Sequence, residues 1–174
     1  MAEAGRGREL LLLRHGIAEE RSPGRDDRSR VLTEPGRRRA QAVLRRAVDL
    51  GLGGGRLLTS PLPRARQTAE IAVAVGLAPA LEVVEALAPG ADPLPLLEQG
   101  WATPPGEAAS GCLVLVGHEP DLGLLAARLI GAAPGSIPLR KAGLALLDLP
   151  PEASAPFPGR ARLRLLLSPR VLLS

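Results

Sequence analysis

LLLLRHGIAEE, residues 10–20, runs four leucines straight into an arginine, a histidine and a glycine. A short unbroken apolar run reads as a buried strand, because a half-exposed strand would alternate apolar with polar. Such a strand has no use for Arg14 and His15 at its end, so the chain either surfaces there or presents both side chains to something. The pattern returns at LVLVGHE, residues 113–119, and these two places hold both histidines of the chain, His15 and His118. In an open α/β sheet, ligands bind outside the carboxyl ends of the strands, where loops leave the sheet and helix N-termini gather. Both histidines fall where such a sheet would carry a site.

The rest of the chain supplies the alternation that such a sheet needs. Thr33–Leu50 reads as a helix with Ala40, Val43, Leu44 and Ala47 on one face, Thr33 as N-cap, Pro35 in the first turn and Gly51 at its end. Arg37, Arg38, Arg45 and Arg46 fall off that stripe onto a solvated face. Leu57–Thr59 is a short strand, and Pro63–Val75 a second helix with Ala65, Ala69, Ala72 and Val73 inward. Leu81–Val84 reads as a strand, Asp92–Gln99 as a short helix and Leu113–Val116 as a buried strand. Pro120–Ile130 is a helix with Pro120 in its first turn and Leu122, Leu125, Ala126 and Leu129 inward. Gly143–Leu149 and Arg162–Leu167 read as a closing pair of strands joined by a loop at 150–161. GLGGG at 51–55 lacks the Lys-Ser/Thr that ends a phosphate loop and follows a helix, so it reads as a turn. Strand and helix in succession predict an α/β sheet with helices on both faces, in a single domain over 1–174 with its core at 10–149 and a closing strand at 162–167.

Composition narrows the function classes. A chain of 174 residues, 45% hydrophobic, can bury a core of its own. Residues 1–9 carry acid and glycine, and the apolar run after them is too short for a signal-peptide core or a membrane span, so no export and no membrane contact are expected. Cys112, the sole cysteine, allows no disulfide framework and makes the cytoplasm the expected location; opening the run CLVLV, it reads as a small core residue. The formal net charge is +4, and every one of the 22 basic residues except Lys141 is arginine, the residue whose planar fork grips phosphate oxygens in two places. Nucleic acid is not the expected partner, because one Trp, one Phe and no Tyr leave almost nothing to stack on bases. No exposed apolar stripe stands out, so a monomer is expected.

Two histidines can suggest a metal, but the chain has no HxH, no HExxH and no cysteine pair, and Arg14 would bring a cation toward the ion. The arginine argues for an anion. A third piece, TSPLPRARQT at 59–68, again follows a short strand and sets Arg64 and Arg66 at the start of a helix. Arginine opposes the helix dipole there unless an anion is expected. Arg14, Arg64 and the two histidines would thus surround a dianion such as a phosphoryl group.

Taken in order, RHG (14–16), SPLPRARQTA (60–69) and GHEP (117–120) resemble the histidine phosphatase superfamily, the phosphoglycerate mutase-like fold, over about Leu10 to Leu149. Within it the chain looks most like the small SixA-type phosphohistidine phosphatases. Ala18 stands where many mutase-type relatives have Ser or Thr, and RSRVLTEPGRRRA (28–40) resembles the SixA-type pattern after the first strand. Only residues 85–117 separate Val84 from His118, which leaves no room for the long cap insertions of larger members. An open, shallow site follows, suited to a phosphorylated protein surface.

The resemblance implies a three-layer α/β/α sandwich around a mostly parallel sheet, and a metal-independent phosphatase without cofactor, expected in signal transduction. It makes His15 the nucleophile that forms a phosphohistidine, with Arg14, Arg64 and His118 on the phosphoryl oxygens and Gly16 and Arg30 also at the phosphate. Glu119 is the first candidate proton donor, followed by Glu85 and Asp92. A phosphohistidine substrate needs no strong acid, because protonated imidazole has an ordinary pKa of about 6.5 and leaves readily. Two other readings stay open on these residues: a phosphomonoesterase for a small phosphate ester, and a non-enzymatic phosphate-binding module.

Overall fold

The computed structural model describes residues 8–99, 111–150 and 159–174. The N-terminal residues on which the export reading rests, and 151–158 of the expected closing loop, lie outside the described residues. Six strands, β1 (Arg8–Arg14), β2 (Arg56–Thr59), β3 (Leu81–Val83), β4 (Cys112–Gly117), β5 (Leu144–Leu149) and β6 (Arg162–Leu167), form one sheet in the order β3-β2-β4-β1-β5-β6. The first four are parallel, while β5 runs antiparallel to both β1 and β6.

The leucine run is unbroken because both faces of the sheet are covered. Leu10 and Leu12 point with Leu113 and Leu115 to one side, against Leu122, Leu125, Ala126 and Leu129 of α4 (Asp121–Ile130) and Leu97 of α3 (Leu94–Gln99). Leu11 and Leu13 point with Val114 and Val116 to the other. There they meet Val43, Leu44 and Ala47 of α1 (Glu34–Asp49), Ala65, Ala69 and Ala72 of α2 (Pro63–Ala74), and Leu172 of α5 (Pro169–Leu172). The molecule is therefore an α/β/α sandwich. No helix among the described residues is long and apolar enough to cross a membrane.

The helix ends follow local chemistry. Thr33 accepts from the Gly36 N–H at 3.0 Å and caps α1 with Pro35 in the first turn. Gly36 is needed there, since a Cβ would overlap the Ile17 carbonyl. Pro120 precedes α4 rather than opening its first turn. In α2 the inward stripe differs from expectation at one end: Val73 is half-buried, while Arg64 and Thr68 are buried. The stripe of Ala65, Ala69 and Ala72 continues back along the helix one turn at a time, and its first turn emerges over the sheet's carboxyl edge.

Candidate active site

Adjacent parallel strands deliver the two histidines to one place. The register of β1 on β4 sets Arg14 opposite Gly117, so His15 and His118 leave the sheet side by side, with ring centroids 5.2 Å apart and planes tilted by 54°. Both are buried, as is Arg64. These three line a depression of about 380 Å³ together with Arg14, Arg30, Asp27, Glu119 and Lys141.

The hydrogen bonds of His15 define its chemistry. Nδ1 lies 2.7 Å from the Gly16 carbonyl, which can only accept, so Nδ1 carries the proton and Nε2 keeps a free lone pair. Burial, opposed by that hydrogen bond and aided by the charges of His118, Arg64 and Arg14, lowers the His15 pKa to about 3. The ring is thus a neutral nucleophile at any physiological pH. His118 is lowered to about 4, by burial first and then by Arg64. Its Nε2 lies 2.7 Å from Ser60 Oγ, which also accepts from the Leu62 N–H; the tautomer in which the hydroxyl donates to Nε2 places the ring proton on Nδ1.

Around the rings stand cations held by the protein. Arg14 donates from Nη1 to the Leu139 carbonyl at 2.8 Å. Arg64 donates from Nη1 to the Asp27 carbonyl at 2.9 Å and from Nη2 to Asp27 Oδ2 at 3.3 Å. Arg30 donates to Asp27 Oδ1 at 2.9 Å and to the Glu19 carbonyl at 2.8 Å. Burial lowers the pKa of both Arg14 and Arg64 from the ordinary guanidinium value. Three buried nitrogens here, Arg14 Nε, Arg64 Nε and His118 Nδ1, have no hydrogen-bond partner among the described residues. Each buried unsatisfied donor costs about 1–3 kcal/mol, so three in one depression mark a place for an anionic acceptor.

Glu119 is half-buried at the edge of the same depression. Burial raises its pKa, against the Gly123 and Leu139 N–H groups and the charge of Arg14. Its Oε1 accepts from the Gly123 N–H at 2.9 Å, so the carboxyl also caps α4. The other candidate acids do not line the depression: Glu85 is exposed, and Asp92 accepts from the Leu94 N–H and faces Arg128 at 3.5 Å. Arg66 points to solvent and pairs with Glu70 at 3.2 Å.

Gly16 is put to a different use from the expected phosphate contact. Its N–H donates to Thr68 Oγ1 at 3.0 Å and its carbonyl accepts from His15 Nδ1–H, so its polar groups position the His15 ring instead. Thr68 in turn donates to the Arg64 carbonyl at 2.7 Å. Cys112 is buried in the core as expected, its thiol pushed up to about 12 by burial and then by Glu9. Among the described residues no cluster of His, Cys, Asp and Glu could hold a metal.

Asp27, in the charge run RDDRSR, has no role in the reading of the sequence. The signal was its place three residues before Arg30, at the turn of an arginine-rich loop. Ser60 and Thr68 were inside a quoted motif without an assigned task.

Residues 10–88 match the family model of the histidine phosphatase superfamily, branch 1. An uncharacterised protein of Picosynechococcus sp. is 44% identical over 141 residues, covering 78% of this chain and 82% of its own. Among solved structures, the protein histidine phosphatase SixA complexed with tungstate is 26% identical and superposes with a TM-score of 0.73, over 93% of this chain and 97% of that one. A mycobacterial glucosyl-3-phosphoglycerate phosphatase shares the fold at 22% identity, with a TM-score of 0.68 over 92% of this chain and 99% of that one.

Proposed function

The chain belongs to the histidine phosphatase superfamily and is a phosphatase; from that premise we propose that its substrate is phosphohistidine, hydrolysed through a covalent phospho-His15 intermediate. The observation that carries this reading is the His15 ring: neutral, tied through Nδ1–H to the Gly16 carbonyl, and set beside three buried nitrogens that have no partner among the described residues.

The lone pair of His15 Nε2 attacks phosphorus as the bond from phosphorus to the substrate's imidazole nitrogen breaks in line. Arg14, Arg64 and His118 meet the charge on the three equatorial oxygens; phosphoryl transfer is mostly such positioning and charge stabilisation. The departing imidazole takes up a proton and leaves neutral. Water then attacks phospho-His15 from the vacated side, releasing inorganic phosphate and restoring the free Nε2.

Substrate class turns on the leaving group. Imidazole leaves without a strong acid, whereas an alkoxide needs one. The likeness to SixA, a protein histidine phosphatase, supports the first. The raised pKa of Glu119 at the edge of the depression favours a second reading, a phosphomonoesterase in which Glu119 protonates the ester oxygen. Brief incubation with phosphohistidine or glycerol phosphate, quenching in base and mass spectrometry of wild type, His15→Ala and Glu119→Gln separates them. Labelling of wild type but not His15→Ala, faster from phosphohistidine and insensitive to Glu119→Gln, is the expected result. Faster labelling from the ester, lost in Glu119→Gln, would establish the second reading.

A further inference from the structure

The depression has an inner and an outer part. His15, His118 and Arg64 are buried at its floor, while Arg21 and Lys141 are exposed at its rim. A phosphoryl group held on the floor must leave the rest of its substrate at the rim. The cations of the lining differ in what they already hold. Arg21, Arg30 and Arg64 are all bound to Asp27, and Arg14 is bound to the Leu139 carbonyl. Lys141 alone has no ion pair or side-chain hydrogen bond among the described residues.

Lys141 is also placed with unusual care for an exposed side chain. Gly143 donates its N–H to the Arg140 carbonyl at 2.6 Å, closing a four-residue turn with Lys141 and Ala142 at its centre. Ala142 has φ +59°, a left-handed conformation usually left to glycine, and is buried. Its N–H is shared between the Arg14 and His15 carbonyls, at 3.2 and 3.0 Å. The turn is therefore pinned to the two residues that carry the chemistry, at the cost of a strained backbone, and Lys141 is the next residue along it. Strain of this kind persists where the surroundings over-determine it, and points from the observed outlier to function. Lys141 is moreover the single lysine of a chain that is otherwise uniformly arginine in its bases.

We propose that Lys141 is the specificity-determining residue for the leaving-group side: its ammonium pairs with a carboxylate carried by the substrate next to the phosphorylated group. The inference rests on the phosphatase reading above. It selects phosphohistidine in an acidic sequence context, or a carboxylate-bearing small molecule, over the bare phosphoryl compound.

The test compares matched substrates that differ in one carboxylate: phosphohistidine peptides with flanking Glu or flanking Gln, and 4-carboxyphenyl phosphate against phenyl phosphate. Each is hydrolysed by wild type, Lys141→Ala and Lys141→Arg. An exposed ion pair gives a modest preference, so wild type should favour the carboxylate-bearing member about threefold to fivefold in KM. Lys141→Ala should bring that ratio to one, and Lys141→Arg, which keeps the charge, should restore it. A preference in either pair that survives Lys141→Ala, or no preference in wild type, overturns the proposal. So does a fall in kcat of similar size on all four substrates, which would place Lys141 at the phosphoryl group itself. A preference confined to the peptides assigns the carboxylate to a protein, and one shown only by the aryl pair assigns it to a small molecule. If the enzyme turns over the aryl phosphates but no phosphohistidine, the substrate reading fails while the Lys141 comparison still stands.

Discussion

Replacing Asp27 by Asn keeps the side chain's shape and removes the charge that gathers three arginines. Oδ1 takes Arg21 and Arg30 and Oδ2 takes Arg64; the single amide oxygen of the variant can still accept from Arg21 and Arg30, but the charge is gone and Arg64 Nη2 loses its acceptor, leaving Arg64 the backbone bond from Nη1 to the Asp27 carbonyl. The Asp27 side chain is 40% exposed, so each ion pair contributes about 0.2–1 kcal/mol rather than a buried-pair value. Losing those to Arg30 and Arg64 should cost about 0.4–2 kcal/mol of stability. Two effects on the reaction oppose each other. A neighbouring carboxylate repels an incoming dianion, so removing it should strengthen ground-state binding, by about 1 kcal/mol once solvent screening is counted. Arg64, however, is then held by one bond instead of two, and its position matters most when charge develops in the transition state.

The expected outcome of Asp27→Asn is therefore a split: kcat lower by about tenfold, equivalent to ~1.4 kcal/mol, with KM unchanged or lower. Steady-state hydrolysis of phosphohistidine with Asp27→Asn and Asp27→Glu measures it, and the glutamate variant should recover part of kcat. An unchanged kcat with a lower KM would refute the argument, because Asp27 would then only temper the charge of the site. The acid side gives an independent check. Burial alone would raise the Asp27 pKa, but the Arg21 hydrogen bond and the charges of Arg30, Arg64 and Arg21 outweigh it and hold the group below its ordinary value. Its contribution to stability is thus fully present above the unfolded value of about 3.9 and is lost as pH falls through the lower folded one. Asp27→Asn removes that part of the acid limb.

The remaining predictions concern the histidines and the threonine behind them. His15 and His118 stay unprotonated in the fold, with pKa values lowered to about 3 and about 4, while the unfolded chain takes up protons below about 6.5. Stability should fall as pH drops from 6.5, by about 2 kcal/mol per histidine at pH 5, and urea unfolding at both pH values should show a smaller loss in His15→Gln; an equal loss refutes the depressed pKa. Thr68→Val strips the Gly16 N–H of its acceptor inside the protein, an expected loss of about 1–3 kcal/mol together with activity. Thr68→Ser should restore both, and a Thr68→Val protein of wild-type stability and rate would show that Gly16 does not depend on this bond.

What could be read from the residues and what could not divide along a physical line. Leu10–Leu13 and the i, i+3, i+4, i+7 stripe of α1 were legible because burial on one or both faces imposes its period directly on the sequence. His15 and His118 were legible as strand-end residues, but not as neighbours: β1 and β4 pair across most of the chain, and a sequence carries no mark of that register. Asp27 was hidden for a related reason. Its loop folds back as a ribbon, with Ala18 bridged to Leu32 and the Glu19 N–H on the Val31 carbonyl, and only that return lays the carboxylate on Arg64. Gly16 was expected at the phosphate from the family resemblance alone, whereas the structure packs it against Leu32 and Ala40.

The backbone around His15 explains why so small a chain can keep a neutral histidine in place without a carboxylate partner. The His15 N–H donates to the Gly117 carbonyl, the His15 and Arg14 carbonyls share the Ala142 N–H, and the Gly16 N–H goes to Thr68. Three consecutive residues are thereby fixed to β4, to α2 and to the turn at 140–143. The ring then needs only the Gly16 carbonyl to set its tautomer. A carboxylate on Nδ1 would stabilise the imidazolium and raise its pKa; a carbonyl fixes the same proton with far less charge. The arrangement leaves the Nε2 lone pair available and, in the proposed reaction, leaves the nearby cations to the phosphoryl oxygens. It follows that the order of the site is carried by main-chain bonds which side-chain substitution at Arg14 or His118 does not remove, so such variants should lose rate while His15 keeps its tautomer.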